Sequence, residues 1–339
     1  MRYYSIHSIV GVSIDDTYPW LETLNNDLPK VFESNKSEFD KCQYTICICY
    51  INEKITTQNK ERLYVDKSSF VDKTYGVKII YDNQNIKLIT NQECNEWLMF
   101  LLYYQFIKAG YLLIHAAALE KKGEVLIIPS TGGTGKTILS LYLIKKEQYR
   151  LLGDDLCLIN SKGEVLAFPK KMVIYPWHSE FLNDQVYTPK RSFFKISKRT
   201  KESIKLILRR FPAVLAYIRR KNPQLNQVEP QAYFASDGLA FRGQATKMVY
   251  LERGGSDKEY PYEELIVKVI TTTQYELFHY FAEILDELIR NHSIVEGRLI
   301  YVEPINVLNG LKTYLQYKTA SIPQNISNKE FIEEFLKII

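Results

Sequence analysis

The stretch "PSTGGTGKT", Pro129 to Thr137, constrains the fold of this chain more than any other. The apolar run "EVLIIP" leads into it and "KTILSLYLIKK" leads out of it, so a buried strand passes through three glycines into about three turns of helix. Such a turn presents a ring of backbone N–H groups at a helix amino terminus, an arrangement suited to phosphate. Gly132, Gly133 and Gly135 let the chain approach an anion without Cβ clashes. In that setting Lys136 reaches β and γ phosphates, and the Thr137 hydroxyl ligates Mg²⁺. The consensus G-x-x-x-x-G-K-[ST] places a glycine where Ser130 stands, but the nest is formed mainly by its last residues. Ser130, Thr131, Gly132, Gly133, Thr134, Gly135, Lys136 and Thr137 are therefore the expected nucleotide-binding residues.

The flanking segments narrow the architecture. "YLLIHAAALE" reads as one buried strand, separated from "EVLIIP" only by "KKG", too short for a helical crossover, so the two should pair antiparallel. After the helix, "YRLLGDDLCLIN" reads as a further strand that turns through "SKG" into "EVLAFP". A loop and helix between two hairpins implies an α/β (α+β) chain with a mixed sheet, not a mainly parallel one. The strand ending at "LLGDD" is expected beside the strand that enters the loop. "WLMFLLYYQFIKAGYLLIHAAAL", Trp97 to Leu119, is long and apolar, yet Gln105, Lys108, Gly110 and His115 interrupt it. A helix over about Asn95 to Ala109, ended by Gly110 and followed by a strand, fits it better than a membrane span.

Before residue 95 the pattern is of strands and turns: "YTICICYI", and "GVKIIYDNQNIKLIT" as a hairpin turning at Asp82 to Asn85. Residues 1–94 are expected to form a small β-rich amino-terminal domain, and residues 95–339 a second one. Near the end, "TKMVYLERGG" reads as a strand into a turn and "QYELFHYFAEILDELIRNH" as an amphipathic helix. "SNKEFIEEFLKII" carries a capping box from Ser327 to Glu330.

With 46% hydrophobic residues and 25 Tyr in 339, the chain has enough apolar area to fold. "MRYYSIHSIV" lacks the apolar core of a secretory signal, so a cytoplasmic location is expected, with no membrane partner. The odd set Cys42, Cys47, Cys49, Cys94 and Cys157 lacks metal-ligand spacing and reads as packing. Charge is concentrated: residues 190–221 hold twelve Lys or Arg against the single acid Glu202, within a basic helical insertion of about 190–222 broken at Pro212. That segment is +11 in a chain of +5, so the remainder is negative. A solvated helical face explains such a run. An acidic peptide or substrate phosphates would also suit it, and nucleic acid is not expected, because no RNA-binding motif accompanies it.

Asp154 and Asp155 follow Lys136 by one helix and one strand. Such a pair is either a solvated acidic turn or, if enclosed, a site for a cation and for proton removal. His115, in an apolar strand, is by itself either a satisfied core residue or a site residue. Taken together, His115, the loop and the Asp pair make "LIHAAALEKKGEVLIIPSTGGTGKTILSLYLIKKEQYRLLGDDLCLI" resemble the catalytic core of the HPr kinase/phosphorylase family, specifically its HPr-kinase-like serine kinase relatives. "MVYLERGG" also resembles a strand-turn of those relatives, which would bring Glu252 and Arg253 near the site.

The resemblance implies a P-loop core like that of the HPr kinase carboxy-terminal domain and of phosphoenolpyruvate carboxykinase. It further implies ATP and Mg²⁺ as cofactors and a kinase acting on a serine-type hydroxyl of a peptide or small protein. The family's "E-I-R-G-x-G" signature is missing; "LAFRGQ" has Ala240 where the glutamate would fall, which argues against HPr recognition and the phosphorolysis reaction. Relatives that modify a ribosomally made peptide precursor are then the nearer comparison. In this reading His115, Lys136, Asp154 and Asp155 are catalytic, with Asp155 assisting Thr137 at the metal and Asp154 removing the proton, a division that sequence alone leaves interchangeable. A small-molecule hydroxyl kinase and a non-catalytic nucleotide-binding regulator are the alternatives, and assembly into homo-oligomers is left open.

Overall fold

The computed structural model describes residues 1–56, 63–66, 68–174, 178, 226–234, 237–254, 259–278, 282–290 and 295–339. The basic segment, with the helix break expected at Pro212, lies outside them. The first ninety residues build an eight-stranded sheet from β1 (Arg2–Ile6), β2 (Val10–Ile14), β3 (Glu33–Ser34), β4 (Tyr44–Tyr50), β5 (Leu63–Asp66), β6 (Ser69–Asp72), β7 (Val77–Asp82) and β8 (Asn85–Thr90). Its order is β3-β1-β2-β4-β8-β7-β6-β5, antiparallel except where β4 meets β2 and β8. The expected hairpin is β7–β8, with Asp82 opposite Asn85. Along β4, Ile46 and Ile48 are buried while Cys47 and Cys49 share the half-buried face, as period-2 alternation requires. Two short helices, α1 (Leu21–Asp27) and α2 (Lys36–Phe39), fill the connections.

Helix α3 (Asn95–Lys108) buries eleven consecutive side chains, Trp97 to Ile107. A helix apolar on every side must lie in an interior. It touches both β2 and the first strand of the next sheet, so one apolar cluster runs unbroken from the amino-terminal sheet through α3 into the rest of the chain. Each fully buried large side chain of this kind contributes roughly 1.5–3 kcal/mol. Among the described residues no helix is long and apolar enough to cross a membrane.

The second sheet comprises β9 (Tyr111–Ile114), β10 (Ala116–Lys121), β11 (Glu124–Pro129), β12 (Arg150–Gly153), β13 (Cys157–Asn160), β14 (Glu164–Ala167), β17 (Arg242–Arg253) and β18 (Gln316–Ile322), while β15 (Met172–Ile174) and β16 (Asn226–Val228) form a separate ribbon. Its order is β12-β10-β11-β17-β14-β13-β9, with β18 also on β17. β17 runs parallel to β11 and β18, and the other pairings are antiparallel, so the sheet is mixed as expected. Helix α4 (Lys136–Glu147) covers one face, together with the carboxy-terminal helix; α3 and the later helices cover the other.

Three expectations need correction. "YLLIHAAALE" is not one strand but β9 and β10, which break at His115 and lie far apart in the sheet order. "YRLLGDDLCLIN" likewise breaks at Asp154–Leu156 into β12 and β13. β9 pairs with β13 and β10 with β12, so a single long two-stranded ribbon turns a corner and supplies both ends of the sheet. At the corner the Ala116 N–H donates to the Asp155 carbonyl at 3.1 Å. A Cβ on Gly153 would stand 2.0 Å from the Leu156 carbonyl oxygen, so only glycine permits the bend. The strand ending at the Asp pair therefore does not neighbour β11; β10 lies between them.

Past β16 come α5 (Pro230–Phe234), α6 (Tyr262–Phe278), α7 (Ala282–Arg290), α8 (Gly297–Tyr301), α9 (Glu303–Asn309) and α10 (Asn328–Leu336). The helix expected from Gln274 begins earlier, at Tyr262, and its described parts are the end of α6 and α7. The Ser327 capping box forms, with both of its hydrogen bonds, at the start of α10.

Candidate functional site

The corner of the ribbon and the glycine-rich loop meet. β11 ends at Pro129, the loop spans Ser130 to Gly135, and α4 starts at Lys136. Gly135 takes φ 114°, and a Cβ there would stand 2.7 Å from the Phe331 ring of α10. That ring also carries the Arg253 guanidinium, centred 3.8 Å above it. Arg253 Nε donates to the Thr134 carbonyl at 3.0 Å, so the end of β17 clamps the loop from outside. Glu252, the other residue expected nearby, instead accepts from Lys268 and Tyr260 on the opposite face.

Lys136 is buried, and its ammonium turns back into the loop. It donates to Ser130 Oγ at 3.0 Å, to the Ser130 carbonyl at 3.1 Å and to the Thr131 carbonyl at 3.3 Å. Burial pulls its pKa below the ordinary lysine value, against the opposing pull of Asp155, Asp154 and Glu276. Ser130, the departure from consensus, is fully buried and accepts from Thr134 Oγ1 at 2.6 Å. Its hydroxyl thus braces the loop that a glycine would leave unbraced. Thr131, Gly132 and Gly133 are exposed, and the Gly132 N–H donates to Glu276 Oε1 at 2.8 Å.

The two aspartates occupy different surroundings. Asp154 is buried and its Oδ2 accepts from Thr137 Oγ1 at 2.7 Å, while its Oδ1 has no hydrogen-bond partner. Burial raises its pKa, outweighing the hydrogen bonds from Thr137 and Ser140. The Asp155 side chain is 43% exposed. Its Oδ1 accepts from His115 Nε2 at 2.9 Å, and Lys170 lies 3.4 Å from Oδ2. Burial alone would raise this carboxyl, but Lys170, His115 and Lys136 together hold it far below the usual carboxylate range. Lys170 is in turn fixed by Asp27 at 3.0 Å, and the two carboxylates raise its pKa despite burial.

His115 sits at the strand break. Its backbone N–H donates to Thr273 Oγ1 at 3.0 Å, its Nε2 also lies 3.4 Å from the Lys136 ammonium, and its buried Nδ1 has no partner. The structure therefore brings together His115, Lys136, Thr137, Asp154 and Asp155. It adds three residues that sequence reasoning missed: Lys170, Asp27 and Glu276. Lys170 follows β14 in "FPKK" with nothing to distinguish it from a surface lysine, and the other two arrive from distant parts of the chain.

A carboxyl oxygen beside a hydroxyl at a helix amino terminus is a donor set that Mg²⁺ accepts; that ion takes one or two protein ligands and completes its shell with phosphate and water. The orphaned Asp154 Oδ1 and the Thr137 hydroxyl fit it. Compared with known proteins, the sequence matches no family model and no curated protein.

Proposed function

We propose that this chain is an ATP- and Mg²⁺-dependent kinase that phosphorylates a serine-type hydroxyl, on a core of the P-loop type found in HPr-kinase-like enzymes. One observation carries the reading: Lys136, the Thr137–Asp154 pair and the His115–Asp155 pair converge at the amino terminus of α4. In this reading the loop N–H groups and Lys136 hold the nucleotide phosphates. Bound Mg²⁺ neutralises charge on the phosphates that develops during transfer. On the Thr137–Asp154 hydrogen bond, this reading takes the two aspartates in the opposite order to the one expected: Asp154 would hold the metal with Thr137, and Asp155 would be the base.

Asp155 is ionised at neutral pH and partly open to the adjoining space, and Lys170 and His115, which hold it ionised, also lower its basicity, so it serves as a base when those contacts loosen. It takes the proton of the acceptor hydroxyl as the oxygen bonds the γ phosphorus. The bond from that phosphorus to the β–γ bridging oxygen breaks, and ADP leaves with the electron pair. Lys136, moving from its carbonyl partners to the phosphates, would compensate charge at the leaving oxygen.

A peptide or small protein is the leading acceptor, from the resemblance of the motifs. A small hydroxyl compound is a second, favoured by a cavity of about 330 Å³ beside Asp155. The test is intact-mass measurement of acceptors incubated with ATP, Mg²⁺ and the full chain. A phosphate-sized gain with wild type, falling on the order of 10²–10⁴-fold in rate with Asp155→Asn while nucleotide binding persists, supports the reading. Transfer left intact by Asp155→Asn would remove that residue as base. A failure to bind ATP with or without Mg²⁺ would overturn the nucleotide site.

A further inference from the structure

The groups of the loop that would bind an anion are engaged by the protein itself. The Gly132 N–H, at an exposed position of the loop, donates to Glu276 Oε1 at 2.8 Å. The whole carboxylate lies over that residue: a Cβ on Gly132 would stand 3.2 Å from Oε1 and 3.7 Å from Oε2. Lys136 is turned onto the Ser130 hydroxyl and the Ser130 and Thr131 carbonyls. The Glu276 charge reaches this ammonium too, favouring the protonated form that burial opposes. An ionised carboxylate only accepts hydrogen bonds, as phosphate oxygens do, and its bonds to backbone N–H groups are charge-assisted. Glu276 therefore meets the loop as a phosphate would.

It does so from an anchored helix. Glu276 lies on α6 three residues after Thr273, which is buried and whose Oγ1 accepts the His115 N–H at 3.0 Å. Residues three apart share a helix face, so one face of α6 holds both the corner of the ribbon and the loop. Thr273 ties the helix to the corner, while the longer, half-buried Glu276 side chain has rotamers that leave Gly132 without moving the helix. From this contact we propose that Glu276 is an intramolecular competitor of the nucleotide phosphates: both take the Gly132 N–H, and phosphate binds only as the carboxylate leaves. The inference rests on the nucleotide-site reading of the loop. A carboxylate left within a few ångströms of phosphate oxygens would repel them, so the two anions exclude each other. The affinity for nucleotide is then reduced by the fraction of molecules in which Glu276 holds the loop.

The experiment titrates ATP, inorganic tripolyphosphate and adenosine into the full chain by calorimetry, in wild type, Glu276→Gln and Glu276→Ala. Glu276→Gln keeps the shape and one acceptor oxygen but removes the charge; Glu276→Ala removes both. ATP and tripolyphosphate should each bind about three- to tenfold tighter to the variants, with Glu276→Ala gaining at least as much as Glu276→Gln. Adenosine, which carries no phosphate, should behave alike with all three proteins. Anion binding that is unchanged or weaker in Glu276→Gln, at the wild-type melting temperature, overturns the inference and leaves the nucleotide site standing. A gain that extends equally to adenosine also overturns it, because that marks a general loosening of the site. If neither wild type nor either variant binds ATP or tripolyphosphate, the nucleotide reading falls and the inference with it. Glu276→Gln, the isosteric change, decides if Glu276→Ala fails to fold.

Discussion

The two flanks of the His115–Asp155 pair are built in opposite ways. On the loop side, the groups offered are N–H donors, the buried Lys136 and the Arg253 clamp, and nearly all come from one contiguous stretch ending at Asp154. On the cavity side, carboxylates of Asp27, Glu93, Glu96, Asp155 and Glu276 stand among the Lys170 ammonium and the apolar Met99 and Leu277, and they come from distant parts of the chain. One flank is built from donors in one short segment and the other from side chains of mixed character, with a carboxylate at the junction held ionised by Lys170. The contrast teaches that the glycine-rich motif supplies only half of the candidate site. The other half depends on how the first ninety residues and α3 pack against the second sheet.

Among changes that separate the two flanks, the largest effect should come from removing the cation on the loop side. Lys136→Ala is expected to lower turnover by about 10²–10³-fold and to weaken ATP binding, with the KM for the acceptor little changed. A matched loss in acceptor KM would show that the two flanks are not separable.

Lys170→Met probes the junction. With Lys170 present, the Asp155 carboxyl titrates far below the ordinary range; without it, a rise of about 1–3 pH units is expected. The acid limb of a kcat/KM profile should move upward accordingly. For stability the sign is that of a depressed carboxyl: its contribution is present above the unfolded value, about 3.9, and is lost as pH falls toward the folded one. In the variant the loss should begin at the same pH, near the unfolded value, but end at a higher pH and be smaller in total than in wild type. Because Asp155 is partly exposed, that stability change should be small beside the shift of the activity profile.

How far the sequence reaches follows the same divide. β11, the loop and α4 were legible because strand, glycine turn and helix are local signals, and Ser327 declared its capping box by spacing alone. The corner was not, since apolar residues continue on both sides of His115 and of Asp154–Leu156, and hydrophobic pattern does not register a bend between two buried strands. Gly153 was the one visible trace of it, and its role appears only once Leu156 is in place above it. Lys170, Asp27 and Glu276 were invisible because their function is a matter of which distant residues they meet. Ser130 reads as a defect against the consensus, whereas the buried hydroxyl pair with Thr134 makes it a brace.

A smaller perturbation tests whether the loop is held from below. Gly135→Ala places a Cβ against the Phe331 ring at positive φ, for which an alanine costs roughly 1–3 kcal/mol. Chemical denaturation should report that loss, and ATP binding should weaken further than the stability loss alone explains, because Phe331 and Arg253 must shift with the loop.

The smallest expected effect separates the flanks most cleanly. Ser327→Ala removes the side chain that accepts the Glu330 N–H and so loosens the first turn of α10, at a cost of about 1 kcal/mol. Phe331 lies one residue beyond that turn's Glu330, stacked under the Arg253 guanidinium and against Gly135. A looser start to α10 therefore relaxes the clamp on Thr134 without touching Asp27, Glu93 or Glu96. The expected result is a small fall in melting temperature, a modest rise in the KM for ATP, and no change in the KM for the acceptor. An acceptor KM that rises along with that for ATP would mean that α10 supports both walls, and that the loop side and the cavity side are not structurally separate.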